Sequence, residues 1–414
     1  MTAQPTSPAP NAFIRQLSIV LIVAAAVRIA LLIHAHRDPQ TFDFPDAQRY
    51  VAVARNLRAG QGPIDSPQVR AGTDPLYPLM LAAGPSLGFD SDDALLEFGR
   101  IVCSVFGLAG VALLAALARR LFDDATALLA ATMLAIDPIL LFFNATTLTD
   151  VPYCTLMIAA FLALQRLRAG GQTHWAIATG ILLGLGALLR STSLFLPLFL
   201  IPVAAYRFPG GRMRAGRQLF VIGAVYAVTL TPVVIRHHRL SGDWHLPTRT
   251  GGGASLLEAF GPWADGGPGM DRIVYPPLPA DADEWQRDRI CRQAAFDWIR
   301  RNPGRSIELA LVKACRTWGI SINAVEQRTA FRQAVAWLTV TPVYACALAG
   351  VVLLRRRVEL LFLLLAPAVY FTLIHMVFVG SIRYRLPAVP MLFVLASTAV
   401  VATLRARRAA RGTI

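Results

Sequence analysis

The chain has 414 residues, of which 55% are hydrophobic and 16% charged, and its mean hydropathy is +0.51. A soluble domain carries about 25% charged residues, so the composition excludes one and describes a polytopic membrane protein. The net charge of +15 would suggest nucleic acid in a soluble protein; here most arginines outside two long loops sit at the ends of apolar segments, where topology accounts for them and no nucleic-acid partner is expected.

Met1 to Asn11 is rich in Pro, Ser and Thr, and residues 1–16 are expected to form a disordered cytoplasmic N-terminus. The first apolar run starts late and is as long as a spanning helix, so it is expected to be retained rather than removed as a signal peptide. Apolar runs suited to spanning helices lie near 17–35, 99–118, 125–143, 151–167, 174–190, 192–206, 218–235, 333–354, 358–379 and 386–404. They predict about ten transmembrane helices in a membrane domain over 17–404, followed by a basic cytoplasmic tail over 405–414.

The charges orient this array. With the N-terminus in the cytoplasm, the inner connections hold Arg119 and Arg120, then Arg166 and Arg168, then Arg207, Arg212, Arg214 and Arg217, then Arg355 to Arg357. The tail adds Arg405, Arg407, Arg408 and Arg411, whereas the short outer connections hold only Arg190, Arg383 and Arg385. This is a positive-inside pattern, and those three outer arginines are its exceptions. Two long segments, about 36–98 and 236–332, fall outside.

In the first outer loop, Pro45 can open a helix and place Asp46 in its first turn, where a negative charge suits the helix dipole. Ala47, Tyr50, Val51, Ala54 and Leu57 recur at helical spacing, with Gln48, Arg49, Arg55 and Arg58 elsewhere around the wheel and Gly60 as a stop. The pattern reads as an amphipathic juxtamembrane helix lying on the membrane surface; the plainer reading of Asp46 is a cap. In the second loop, Gly251 to Gly253 and Gly261 to Gly269 read as flexible. Asp283 to Arg301 and Ser306 to Gly319 read as a helical hairpin around Asn302-Pro303-Gly304. There is no internal repeat, no Gly-rich phosphate loop and no zinc-like Cys/His spacing. Cys291 and Cys315 are equidistant in sequence from Pro303, but disulfide geometry is demanding and two free thiols are expected. Asp137, before Pro138, reads as a helix breaker or a pocket residue.

Under this topology Asp43, Asp46 and Asp74 face outward in the first loop, Asn144 and Asp150 in the next outer turn, and Arg190 in the third. His237 and His238 follow the seventh run, and Arg383, Tyr384 and Arg385 the ninth. Acids and arginines distant in sequence thus meet on one side of the bilayer. Such a site suits an anionic lipid-borne substrate, with arginines on phosphate and a carboxylate acting on a second molecule.

The first-loop pattern, an acid four residues before Tyr50, a small-residue helix ending at Gly60, then Asp74-Pro75-Leu76-Tyr77-Pro78-Leu79, resembles the C-type glycosyltransferases. Within these it is most similar to the protein O-mannosyltransferase and lipid A aminoarabinose transferase group, family 39 and its relatives. Leu148-Thr149-Asp150 resembles the group's second-loop segment, which usually ends in Glu. Gly184 to Arg190 resembles its fifth-helix segment, and Arg383-Tyr384-Arg385-Leu386-Pro387 the segment before its late helix. Ala47 stands where many relatives have a second acid.

The resemblance implies a GT-C fold and an inverting glycosyltransferase of the EC 2.4 class, acting in the bacterial inner membrane with its active site facing the periplasm. It would move a sugar from a polyprenyl phosphate to a protein, lipid A or other envelope-glycan acceptor. It implies Asp46 as general base, with Asp43 as the competing catalytic carboxylate. Tyr50, Asp74, Tyr77, Asp150, Arg190, Arg383, Tyr384 and Arg385 would be substrate-binding residues. No cofactor is firmly implied; a divalent metal at Asp46 and Asp150 is conceivable, and relatives in this group do not generally need one. The alternatives are an O-antigen ligase or polymerase using His237, His238 and the long loop, and a lipid-linked sugar transporter or flippase. A transporter tends to show internal repeats and mid-membrane ionisable residues, for which Asp137 is the one good candidate.

Overall fold

The computed structural model describes residues 10–206, 208–321 and 329–411, and among these residues it is helical with no strand. In chain order the helices are α1 (Pro10–Arg37), α2 (Pro45–Arg58), α3 (Leu76–Leu81), α4 (Asp92–Leu121), α5 (Asp124–Ile136), α6 (Pro138–Asn144), α7 (Asp150–Gly170) and α8 (Thr173–Leu189). They continue as α9 (Leu196–Ala205), α10 (Gly211–Ser241), α11 (Gly252–Phe260), α12 (Glu284–Arg301), α13 (Pro303–Trp318), α14 (Ala330–Leu353), α15 (Val358–Val377) and α16 (Val389–Arg411).

Six of these, α1, α4, α10, α14, α15 and α16, are long and apolar enough to cross a membrane. The pair α5 and α6, bent by 57°, makes a seventh if taken as one broken span. The chain is a multi-pass membrane protein. All ten expected apolar runs fall on helices, but length and composition support only six or seven of them as spans. The runs at 174–190 and 192–206 are parted at Arg190, which adopts extended backbone (φ −148°, ψ 102°), and give α8 of 17 residues and α9 of 10. The bend between α5 and α6 falls at Asp137, whose carboxylate accepts from Leu140 N at 2.8 Å and so caps α6.

The arginine-rich turns gather at one end of the bundle. The Arg119 guanidinium lies 4.1 Å over the Phe13 ring, and Arg405 pairs with Asp123 at 2.7 Å. The start of α1, the end of α4 and the end of α16 therefore sit together, as the positive-inside reading requires. The expected disordered N-terminus lies outside the described residues for 1–9, while residues 10–16 already belong to α1. Arg207 and residues 412–414 of the tail also lie outside them.

Small residues set the close approaches between spans. A Cβ on Gly184 of α8 would collide with Thr229 of α10, and one on Gly350 of α14 would collide with the Leu395 backbone of α16.

The helix expected after Pro45 forms as α2. Ala47, Val51 and Ala54 of α2 are buried while Gln48 and Arg49 are exposed. The expected hairpin is α12 and α13, and α12 opens on a capping box of Asp283 and Gln286. The glycine stretch at 251 differs from expectation. Gly251, with φ +91°, takes a left-handed conformation open to glycine and caps α11, which then starts at Gly252 and buries Leu256, Leu257 and Phe260. Glu284 joins the two outer loops: it accepts from Arg70 N (3.0 Å), Ala71 N (3.1 Å) and the Thr250 hydroxyl (2.7 Å). Cys291 and Cys315 are free thiols.

Lys313, the single lysine of the chain, is fully buried in α13. Its Nζ lies 3.4 Å from the Met376 and Val377 carbonyl oxygens and over the Phe260 ring. Burial lowers its pKa from 10.5 to about 7. A folded-state value below the unfolded one means that the unfolded chain binds more protons between those two pH values, so stability rises with pH across that window. Lys313→Met is therefore expected to be more heat-stable than wild type near pH 7, with the gap closing towards pH 10. Thermal unfolding of both proteins across that range checks this; a constant gap would show that the ammonium carries no such penalty.

Candidate active site

The site is built at the end of the bundle opposite the arginine-rich turns. Four side chains more than forty residues apart from one another in most pairings converge there. Asp46 comes from the first turn of α2, positioned by Pro45 at the helix start. Asp150 is the first residue of α7, Arg190 follows the last residue of α8, and Arg383 lies in the 3-10 turn Ile382–Ala388 that leads into α16.

Asp150 is the hub. Its Oδ1 accepts from Arg190 Nη1 at 2.6 Å and its Oδ2 from Arg383 Nε at 2.9 Å. Arg383 then reaches outward, with Nη1 donating to Asp46 Oδ2 at 3.2 Å. Asp150 has no exposed side-chain surface, whereas the Asp46 side chain is 41% exposed. One carboxylate is thus sealed behind two guanidiniums and the other stands at the mouth. Two negative and two positive charges balance, which is how a buried ionic cluster avoids an uncompensated charge. Among the described residues no three His, Cys, Asp or Glu side chains converge to hold a metal ion, and it is the Arg383 guanidinium that bridges Asp46 and Asp150.

Tyrosines and a third acid frame the mouth. Tyr50, one turn along α2 from Asp46, packs edge-on to Tyr77 at 5.2 Å. Burial, with the Asp46 charge adding to it, pushes its phenol up to about 12. Asp74 Oδ2 accepts from Ser191 N (3.0 Å) and Ser191 Oγ (3.3 Å). Burial raises its pKa against those bonds and the Arg249 charge. Tyr384 stacks flat on His375 at 4.2 Å, with the Arg190 guanidinium 6.0 Å from its ring.

Several expected site residues lie elsewhere. Asp43 is exposed and engaged locally, accepting from Phe44 N (2.9 Å) and Gln48 Nε2 (2.8 Å). Tyr77 is fully buried with its hydroxyl 3.3 Å from the Gly99 carbonyl and from Cys103 Sγ, which faces it into the core rather than the mouth. Arg385 points the opposite way from Arg383: it is 1% exposed and donates to the Thr317 and Gly319 carbonyl oxygens. Two residues apart on this turn, the two arginines point different ways, and Arg385 lies outside the Asp150 cluster. Asn144 is turned inward and accepts from Arg28 Nε at 3.1 Å. His237 packs edge-on against Trp285 and His238 stacks on Trp244, so neither joins the Asp150 cluster.

The sequence reading missed Ser191, Arg249 and His375. Ser191 adjoins Arg190, and His375 is a polar residue inside an apolar run; both carried a signal. Arg249, in a long loop with no periodicity, carried none.

Arg385→Ala is expected to lose about 2 kcal/mol or more of stability, because two buried carbonyls lose a charged donor, and to leave apparent donor affinity unchanged. Thermal unfolding beside a substrate titration checks both. A weakened donor affinity in a normally stable variant would return Arg385 to the site.

Residues 73–235 match the sequence model of the family described as dolichyl-phosphate-mannose-protein mannosyltransferase. A comparison with curated proteins gives no match. Among solved structures, the fold is similar to the oligosaccharyltransferase AglB from Archaeoglobus fulgidus in complex with an inhibitory peptide and a dolichol-phosphate. The TM-score is 0.56 and the identity 14%, over 96% of this chain and 52% of that one. The same enzyme tethered to an acceptor peptide gives 0.57 at 14% identity, over 96% and 51%. ArnT from Cupriavidus metallidurans, bound to undecaprenyl phosphate, is 15% identical over 95% of this chain and 79% of that one, with a TM-score of 0.40. The chain spans about half the length of AglB. The matched segment, less than half of the chain, carries Asp74, Asp150 and Arg190 of the site, and the chain as a whole shares the GT-C fold of AglB.

Proposed function

We propose that the chain moves a sugar from a polyprenyl-phosphate donor to an acceptor hydroxyl on the outer face of a bacterial inner membrane, inverting the anomeric carbon, with Asp46 as general base. The observation that carries this reading is the division of labour between the two carboxylates. Asp150 is sealed and neutralised by Arg190 and Arg383, while Asp46 stands exposed beside them, held by one 3.2 Å bond. Support also comes from the mannosyltransferase family match over 73–235 and from the fold shared with AglB, a protein that binds a dolichol-phosphate.

The chemistry follows from the geometry. A lipid phosphate entering the mouth competes for the outward edge of Arg383, a planar donor suited to phosphate oxygens, and so releases Asp46 Oδ2. The acceptor hydroxyl gives its proton to that carboxylate as its oxygen bonds to the anomeric carbon. The bond from that carbon to the phosphate oxygen breaks through a cation-like transition state, and its electron pair leaves on the polyprenyl phosphate. Arg383 and Arg190 are fixed by Asp150 where that negative charge grows, so their stabilisation needs little reorganisation during the reaction. Tyr384, stacked on His375 with Arg190 near its ring, adds an aromatic wall beside the arginines. The acceptor, whether protein, lipid A or another envelope glycan, is set by the outer loops that Glu284 joins.

Mass spectrometry of envelope glycans and glycoproteins from cells with and without the gene tests the proposal. Loss of one sugar from an acceptor, together with build-up of the matching polyprenyl-phosphate sugar, is the expected result. Unchanged glycans and lipid-linked sugars would contradict it.

A further inference from the structure

A cavity lies at the other end of the molecule. It has a volume of about 440 Å³ and opens where three turns meet: the one joining α4 to α5, the one joining α14 to α15, and the last turns of α16. That volume is in the range of small-molecule sites rather than of a single water. Phe122, Leu354 and Val401 supply apolar wall, and Arg357, Arg405 and Asp123 supply charge. The cavity is remote from the Asp46 cluster, because α4 runs between them: Gly99 near its start bonds Tyr77, whereas Leu121 at its end lines the cavity. Thirty residues of helix separate the ends by roughly 45 Å.

We propose that this cavity binds the phosphodiester headgroup of an anionic glycerophospholipid. Two features of the lining argue for a phosphate. Arg405 is held in place by Asp123 at 2.7 Å, and Asp123 is itself fixed by the Thr126 N–H at 2.9 Å, so one guanidinium is preset at the rim and keeps further N–H donors free of that bond. Arg357 has no hydrogen-bond or ion-pair partner for its side chain among the described residues, so its charge is available to a ligand. Two guanidiniums less one carboxylate leave one positive charge, the complement of a single phosphodiester. The lipid source is favoured by the surroundings. Leu353, in the cavity wall on α14, and Leu404, the neighbour of Arg405 on α16, are both half exposed and offer apolar surface to acyl chains. The arginines of this end also follow the positive-inside rule, but that rule asks only for diffuse charge and not for a cavity with a preset guanidinium.

Native mass spectrometry of the full chain in detergent, titrated with phosphatidylglycerol and with phosphatidylcholine, tests the site. Wild type is expected to retain one phosphatidylglycerol and to show no comparable retention of phosphatidylcholine. Arg357→Gln, which breaks no hydrogen bond or ion pair among the described residues, is expected to weaken phosphatidylglycerol binding about tenfold, the effect of one lost charge-assisted hydrogen bond. Equal retention of the two lipids, or unchanged phosphatidylglycerol affinity in Arg357→Gln, would overturn the proposal. Displacement of the lipid by inorganic phosphate at equal concentration would assign the cavity to free phosphate and overturn the lipid assignment.

Discussion

Asp46→Asn is expected to bind donor as wild type does and to transfer sugar at least about a hundredfold more slowly. Removing a positioned general base typically costs about 10²–10⁴ in rate, and an amide keeps the shape and the Arg383 contact but takes no proton. The backbone of α2 fixes this carboxylate at the mouth, and its 3.2 Å bond to Arg383 is the longest of the three that join the cluster. Asp43→Asn is expected to lose far less, because Asp43 is spent on Phe44 N and Gln48 outside the cluster. Single-turnover rates at saturating donor separate the two. A larger loss in Asp43→Asn would move the base three residues upstream, and normal turnover in both would remove the first-loop acid from the mechanism.

Asp150→Ala is expected to be the most destabilising single change in the site, by about 3–5 kcal/mol, because it leaves two buried guanidiniums facing each other without their shared counter-ion. Its partner experiment is Asp150→Ala with Arg190→Met, which removes one of those charges and is expected to recover part of the loss, since the two residues are in direct contact. Thermal unfolding in detergent reads both. A wild-type melting temperature in Asp150→Ala would mean that the cluster is solvated and that Asp150 does not organise it. Donor affinity in any folded Asp150→Ala is expected to fall, because both arginines lose the bond that aims them.

Much of this site is legible in the sequence, for reasons that differ from residue to residue. Local rules place Asp46 in the first turn of a helix that proline opens and apolar positions continue, but only the resemblance singles it out as the base rather than a cap. Arg190 and Arg383 were marked by a global rule, since arginine in a short outer connection runs against the positive-inside pattern. What the sequence did not carry was direction. Arg383 and Arg385 obey the same rule and share a motif, yet the turn sends one to Asp150 and the other to the Thr317 and Gly319 carbonyls. Tyr77 likewise follows Asp74 in the motif but turns into the core. The expected ten apolar runs all fall on helices, but α8 and α9, separated at Arg190, have only 17 and 10 residues, so length alone does not mark either as a full span. The same break is what brings Arg190 to Asp150.

The most direct test of the central claim is a reconstituted transfer reaction. Purified protein in liposomes, given polyprenyl-phosphate sugar labelled in the sugar together with an envelope extract as acceptor, is expected to move label to the acceptor. One polyprenyl phosphate should be released per sugar transferred and the anomeric configuration should be inverted, with Asp46→Asn inactive on the same time scale. Transfer at equal rates by wild type and Asp46→Asn, retention of configuration, or label leaving the donor with no release of polyprenyl phosphate would contradict it.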